Sequence, residues 1–436
     1  MKYMVLLVAA TLSASAARAA DLLDLYLDAL NSDSQFASAK ASLEAGRENL
    51  PQGRAGLLPN MVAGGSTTYN HDDISLPSER NVNFNSNSYQ VQLTQPLFRW
   101  QNWVVYKQDQ LQVGIAEAQF SAAQVDLIQR VAQAYFDVLL AQDVLASVQS
   151  LKAAASEQLQ LSKKSFEVGT VTITDVNDAQ SKYDLANAQE IASQNDLDVK
   201  RQALSLLTGK EPQALATLRP GVQIMGPQPA DMQQWVTSSL SDNASVQAQQ
   251  LTLEVAQREI ERQRAGHLPT LDLVAAYGHT HAANSTSSGS PSEVKSGTVG
   301  VQLSLPLYQG GSVQSKVRQT IALADKAKAD LDTAKRNAAQ LARQSYLGVT
   351  SGIAQVRGYE AALVSSQSAV DSNKLGYQVG VRINIDVLNA ESQLADTQQK
   401  LAQARYNTLI SQLKLKGAAG SLSVADVQQI NSLLVH

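Results

Sequence analysis

Two nonapeptides carry the most pointed chemistry in this chain. VGTVTITDV occupies residues 168–176 and VGVRINIDV residues 379–387, 211 positions apart. Each places a glycine and a β-branched run inside a long helical pattern. Each carries a carboxylate next to its end, Asp175 or Asp386. An acid there can cap the helix that follows or pair with a cation. Other candidates for chemistry are sparse. The histidines are His71, His267, His279, His281 and His436. His279 and His281 would share one face of a strand and could bind a metal, but no third ligand stands out, so a pair on a loop or rim is the plainer reading. No Ser-His-Asp spacing, nucleophile elbow or phosphate loop is present, and GYEAAL and GKEP are not Walker motifs. The sequence therefore points to no catalytic residue, no metal and no cofactor.

The elements that hold the two carboxylates come in duplicate. RAGLLP (54–59) returns as RAGHLP (264–269), VQLTQPLF (91–98) as VQLSLPLY (301–308), and AYFDVL (134–139) aligns with SYLGVT (345–350). The offset stays at 210 or 211 throughout, so the chain is a tandem duplication. Repeat 1 is placed at 20–209 and repeat 2 at 241–416, with a linker segment at 210–240 and a C-terminal segment at 417–436.

Each copy opens with a helical stretch, Leu22 to about Leu50 and Val246 to about Ala265. Two strands follow, expected at about 57–69 and 88–98 in repeat 1 and at about 268–279 and 298–308 in repeat 2. Tyr89, Val91 and Leu93 alternate with polar partners, as do Val299, Val301, Leu303 and Leu305, which is the period of a sheet with one apolar face. Polar stretches rich in Ser and Asn read as the loops between them. Long helical hairpins come next, at 102–207 and 312–415. Residues 102–167 hold no proline and a single glycine, Gly114. At about 1.5 Å per residue such a run reaches roughly 100 Å. The apolar positions Val131, Tyr135, Val138, Leu139 and Leu145 recur mostly at three- and four-residue steps, as in coiled coils. The nonapeptides are the hairpin tips. Gly169 and Gly380 let the chain turn, and Thr174 and Asp175 are expected to cap the returning helix.

The first residues, MKYMVLLVAATLSASAARAA, read as a secretory signal peptide over 1–19, with Ala17-Arg18-Ala19 as the small-x-small cleavage site. There is no cysteine, which excludes disulfides, thiol chemistry and an N-terminal lipid on cysteine. No other segment approaches about 18 consecutive apolar residues, so no transmembrane helix is expected. The formal net charge is −4 and is scattered without a basic stripe, which argues against a nucleic-acid partner. Aromatics make up only 5%, which suits long helices packed through small residues better than a thick core.

Four strands of this length and alternation fit a membrane sheet, yet four strands cannot close, and an open edge is not tolerated in lipid. The chain must therefore assemble, or its strands do not enter a membrane. Three chains would close a barrel of twelve strands.

RAGHLPTLDL, VGVQLSLPLYQGG, AYFDVL, FEVGTVTITDV, GYQVGVRINIDVLNA and LAQARYNTLI, in this order and with this duplicated spacing, resemble the TolC family of outer-membrane efflux channels over nearly the whole chain after the leader. The resemblance implies a mixed, mainly α fold: a homotrimer whose twelve-stranded transmembrane β-barrel, four strands per chain, continues into a long α-helical coiled-coil tunnel in the periplasm. Segments 210–240 and 417–436 would form an equatorial girdle. Trp100 and Trp103 would anchor the lower barrel edge at the membrane interface. The implied function is an exit duct for tripartite efflux or type I secretion, in the outer membrane of a Gram-negative bacterium. Its partners would be outer-membrane lipid, a periplasmic adaptor (membrane fusion) protein and an inner-membrane RND, ABC or MFS transporter.

The resemblance also assigns the tips. Six of them, two per chain, would ring the periplasmic end and shut it by bending inward. Thr174, Asp175, Tyr377 and Arg382 would form the latch, with Tyr377 to Asp175 and Arg382 to Thr174 or Asp175 of a neighbour. Val168-Gly169-Thr170 and Val379-Gly380-Val381 match the motif gripped by the adaptor. Asp386, present three times, would make a cation-selective ring. Here the chain departs from the family: Asn389 stands where a second acid would lie one turn on, and Asp178 stands where the family has a neutral residue. One full ring at Asp386 is therefore expected, helped by Asp178. Lys164 likewise replaces a neutral latch residue. The competing function is a soluble periplasmic coiled-coil adaptor without a pore, which accounts for the hairpins but not for the strand pairs.

Overall fold

The computed structural model describes residues 19–75, 79–211, 214–284 and 290–435. The expected leader up to residue 18 and His436 lie outside them. The chain divides into two compact units. One draws on Lys40–Phe120 and Ser245–Ala334, the other on Met1–Ala39, Ser121–Ala244 and Lys335–His436.

The first unit is built on a sheet of four antiparallel strands in sequence order, β1 (Asn60–Ile74), β2 (Arg80–Phe98), β3 (Thr270–Ala282) and β4 (Ser292–Ser304). The register sorts the side chains by polarity. One face carries the rows Met61–Leu93–Ala275–Val299 and Ala63–Val91–Tyr277–Gly297. The other carries Val62–Gln92–Ala276–Thr298 and Gly64–Gln90–Gly278–Ser296. The apolar face is bare, with Met61 67% and Val299 79% exposed. A bare apolar face opposite a mostly polar one suits a strand between lipid and water. β1 and β4 are left as open edges.

The hairpins of this sheet reach further than their composition suggests. Much of 71–88, expected as a loop, is strand, and β1 pairs with β2 without a break to Ile74 and Arg80. Cross-strand polar pairs support the extension, with Ser66 to Ser88 at 2.8 Å and the Asn70 amide to the Ser86 hydroxyl at 2.9 Å. Residues 76–78 and 285–289 of the expected loops lie outside the described residues. β4 ends at Ser304, short of 308, because Pro306 offers no N–H to a ladder. Arg99 donates to both carboxylate oxygens of Asp272, at 2.7 and 2.6 Å, tying the end of β2 to β3. Trp100 donates to Glu261 at 3.1 Å, and Trp103 lies under the Lys107 ammonium. His279 meets Glu293 at 2.8 Å and packs against Tyr89.

Long helices make up most of the rest: α4 (Trp100–Glu167), α5 (Ile173–Thr208), α8 (Ser312–Gln378) and α9 (Asn384–Ala418). One stretch of α4 is apolar enough by composition to cross a membrane, which the sequence did not lead us to expect; half of it is buried against protein, so packing accounts for its apolarity. In the second unit Tyr135, Phe136, Leu139, Leu204, Leu409 and Leu413 are almost wholly buried. Phe136 stacks on Tyr406, with ring centres 5.5 Å apart. Glycines let α8 and α9 approach closely: the Thr408 side chain fills the space a Cβ on Gly352 would take.

The opening helical stretch is broken into α1 (Leu22–Ser32), α2 (Ser34–Arg47) and α3 (Asn49–Ala55). Asp33 makes the first break. Its carboxylate accepts from the Phe36 N–H at 2.6 Å and takes Arg130 on both oxygens, at 2.8 and 3.1 Å. α6 (Met232–Ser241) begins in the expected linker and runs one residue past it, α10 (Val424–Asn431) lies in the C-terminal segment, and α7 (Ala244–Arg264) leads into β3. Leu218 bridges to Leu434, and the Asn431 amide donates to Asp21 at 2.8 Å.

Candidate functional site at the hairpin tips

The first tip is closed by backbone geometry. α4 ends at Glu167, and Gly169 takes the left-handed conformation at φ +77°. This lets the Thr170 N–H and hydroxyl both donate to the Ser165 carbonyl at 2.9 Å, which satisfies a carbonyl the helix end leaves open. Lys164 sits in the last turn, where a cation suits the helix dipole.

The cap of α5 is Thr172, and Thr174, the expected cap, is already inside the helix. Thr172 is extended, at φ −87° and ψ 161°, and its hydroxyl accepts from the Asp175 N–H. One oxygen of Asp175 in return accepts from the Thr172 N–H and hydroxyl, each at 2.8 Å. This reciprocal box was legible as Thr-x-x-Asp. The longer apolar run hid it by drawing attention to Thr174.

The second tip repeats the turn and changes the chemistry. Gly380 is left-handed at φ +79°, and the N–H groups of Val381 and Arg382 donate to the Gly376 carbonyl at 2.9 and 3.1 Å. The Arg382 stem lies where a Cβ on residue 376 would be, so a larger residue there would have to displace it. Ile383 caps α9 with no side-chain bond. Asp386, half-buried, is left outside any capping box and faces Arg382 at 3.7 Å. Lys374 meets Glu391 at 2.6 Å across the hairpin, a brace that sequence reading missed because the spacing has no local signature.

Within one chain the expected latch residues are not brought together. Asp175 is engaged by Thr172 and Arg382 by Asp386, while Tyr377 is half-buried in the last turn of α8. Asp178 and Asn389 are both exposed, one turn beyond Asp175 and Asp386. The adaptor-motif residues Val168, Gly169, Thr170, Val379, Gly380 and Val381 are all exposed, Val168 at 75% and Val379 at 64%.

The two hairpins pack on each other behind the tips. Leu388 of α9 meets Ala155 and Leu159 of α4 and Val176 and Ala179 of α5. A buried hydrogen bond joins the Asn384 amide to the Ser162 hydroxyl. Neither residue stood out in the sequence, since a lone Asn or Ser in a helix carries no pattern.

Comparison with known proteins bears on the family and the fold. The family described as "Outer membrane efflux protein" matches residues 25–210 and again 235–421, one match per repeat. The chain is 34% identical to outer membrane protein TolC of Escherichia coli, over 96% of this chain and 86% of that protein. It is 32% identical to the alkaline protease secretion protein AprF of Pseudomonas aeruginosa, over 94% of this chain and 86% of that protein. Among solved structures, the CmeC outer membrane channel of Campylobacter jejuni superposes with a TM-score of 0.81 at 17% identity, covering 95% of this chain and 90% of that one. VceC of Vibrio cholerae gives 0.78 at 20% identity, covering 92% and 96%.

Proposed function

This chain belongs to the outer membrane efflux protein family, and from that premise we propose that three copies form an exit duct of efflux or type I secretion systems. The single observation that carries the reading is the pairing of a four-stranded sheet, apolar on one face and open at both edges, with two long hairpins in the same chain. Open edges in lipid require further strands, and three copies supply a closed ring of twelve. The family is named for efflux and the relative AprF for protease secretion, and either cargo class fits a duct that does no chemistry of its own. An adaptor without a pore is disfavoured, because it has no use for the bare apolar sheet face.

The tips are the gate in this reading. Thr174, Asp175, Tyr377 and Arg382 latch neighbouring hairpins, and Asp386 rings the pore with help from Asp178. A weak latch fits: the side chains are half-exposed or exposed, so each pairing contributes about 0.5–1.5 kcal/mol. Exposed valines around the turn glycines give a periplasmic adaptor an apolar grip, and the adaptor in turn recruits an RND, ABC or MFS pump.

The test is conductance of the purified protein in a planar lipid bilayer. Wild type should give small cation-selective currents, and Asp175→Ala/Arg382→Ser should raise them sharply. A monomer that stays in solution and carries no current would return the adaptor reading to the front.

A further inference from the structure

α9 is joined to α4 by polar contacts at three heights. Farthest from the tip, the Tyr406 hydroxyl donates to Asp143 at 2.6 Å. Nearer to it, the Ser147 hydroxyl donates to the Ala395 carbonyl at 3.1 Å. At the tip the Asn384 Nδ2 donates to the Ser162 hydroxyl. The last contact differs from the others. Ser162 is wholly buried and Asn384 is 3% exposed, yet the Asn384 Oδ1 has no hydrogen-bond partner among the described residues. Turning the amide over would not help, because one hydroxyl cannot satisfy both ends. One turn back on the same face of α4, the Gln158 Nε2 is also buried and has no partner among the described residues.

The surroundings make this unpaired oxygen costly. Leu388, one turn further along α9, is packed among Ala155, Leu159, Val176 and Ala179. An apolar residue would complete that seam. The other repeat has Ile173 at the counterpart position, the first of α5, where it is 52% exposed and fills no such joint. A buried carbonyl oxygen without a donor raises the energy of the packed state, and the penalty disappears once water reaches it.

We propose that Asn384 is the joint at which the two hairpins of one chain part, and that its unpaired amide biases the tips toward opening. The proposal rests on the reading of the tips as a gate. It assigns gating to a residue that is itself part of neither the latch nor the lumen ring.

The test uses the full-length trimer in planar bilayers and counts openings. Asn384→Ile, which gives the joint the side chain of its repeat counterpart, should reduce them about three- to tenfold. Ser162→Ala, which strands the amide at both ends, should increase them by a similar factor. Ser162→Ala/Asn384→Ile, an all-apolar joint, should behave as Asn384→Ile alone. Hydrogen exchange at the first-turn amides of α9 should slow in Asn384→Ile and quicken in Ser162→Ala. Asp175→Ala/Arg382→Ser serves as the control. If it opens the channel while Asn384→Ile leaves openings unchanged or raises them, the joint is wrong and the gate stands. If neither responds, both readings fall. Should Asn384→Ile and a smaller Asn384→Val both fail to form trimers, the amide is a folding requirement and the proposal is overturned.

Discussion

Asp175 binds Thr172 twice through one carboxylate oxygen, to its N–H and to its hydroxyl, each at 2.8 Å. Its counterpart Asp386 follows Ile383, which has no hydroxyl to offer, and faces Arg382 at 3.7 Å instead. The duplicated acid thus has two occupations. One copy closes a helix end. The other keeps its charge for groups outside its own first turn.

Removing the cap should therefore affect the first hairpin alone. Thr172→Ala deletes the hydroxyl and costs about 1 kcal/mol at the start of α5. Hydrogen exchange should quicken at the amides of residues 173–176 and stay unchanged at 384–387. Equal protection in wild type and variant would show that the box contributes nothing.

Charge selectivity should depend on the acid without a cap. Asp386→Asn should shift the reversal potential toward zero in a salt gradient, whereas Asp178→Asn should shift it less. Asn389→Asp adds a second acid one turn away and should strengthen block by polyvalent cations. Block that is the same in wild type and Asn389→Asp would sink the ring.

The duplication, the strand faces and the tips were open to reading because each has a local period or a repeated string. The extended hairpins were not, because in Asn81–Ser88 only Val82 and Phe84 break a run of Asn and Ser, and so polar a stretch mimics a loop. The cap was misplaced by two residues, since Thr172 and Thr174 are equally good caps and only the backbone angles at 172 choose between them. Asp33 with Arg130 and Arg99 with Asp272 lie 97 and 173 residues apart, a separation across which sequence pattern says nothing.

The Arg99–Asp272 pair should matter to the sheet. Asp272 is 7% exposed and accepts both bonds from one guanidinium. Arg99→Ala leaves the carboxylate buried without its cation and should cost about 3 kcal/mol. Asp272→Asn keeps one acceptor and should cost less. Melting of the folded trimer in detergent, followed through its strand signal, would rank the two, and the reverse order would contradict the geometry.

Acid should loosen the other pair. Asp33 is buried, and the Arg130 guanidinium bonded to it holds its carboxyl below the usual carboxylate range, against the opposing effect of burial. A folded value below the unfolded one, near 4, means that the unfolded chain binds the proton first as pH falls. The stabilisation is then complete at neutral pH, begins to fade near pH 4, and is gone once the folded carboxyl protonates. Asp33 also caps α2 through the Phe36 N–H, so protonation weakens the helix start as well. Wild type should lose melting temperature steeply below about pH 4. In Asp33→Asn, which cannot titrate, stability should be lower at pH 7 and fall less on acidification. Parallel curves for the two proteins from pH 7 to pH 3 would show that Asp33 contributes nothing to acid stability.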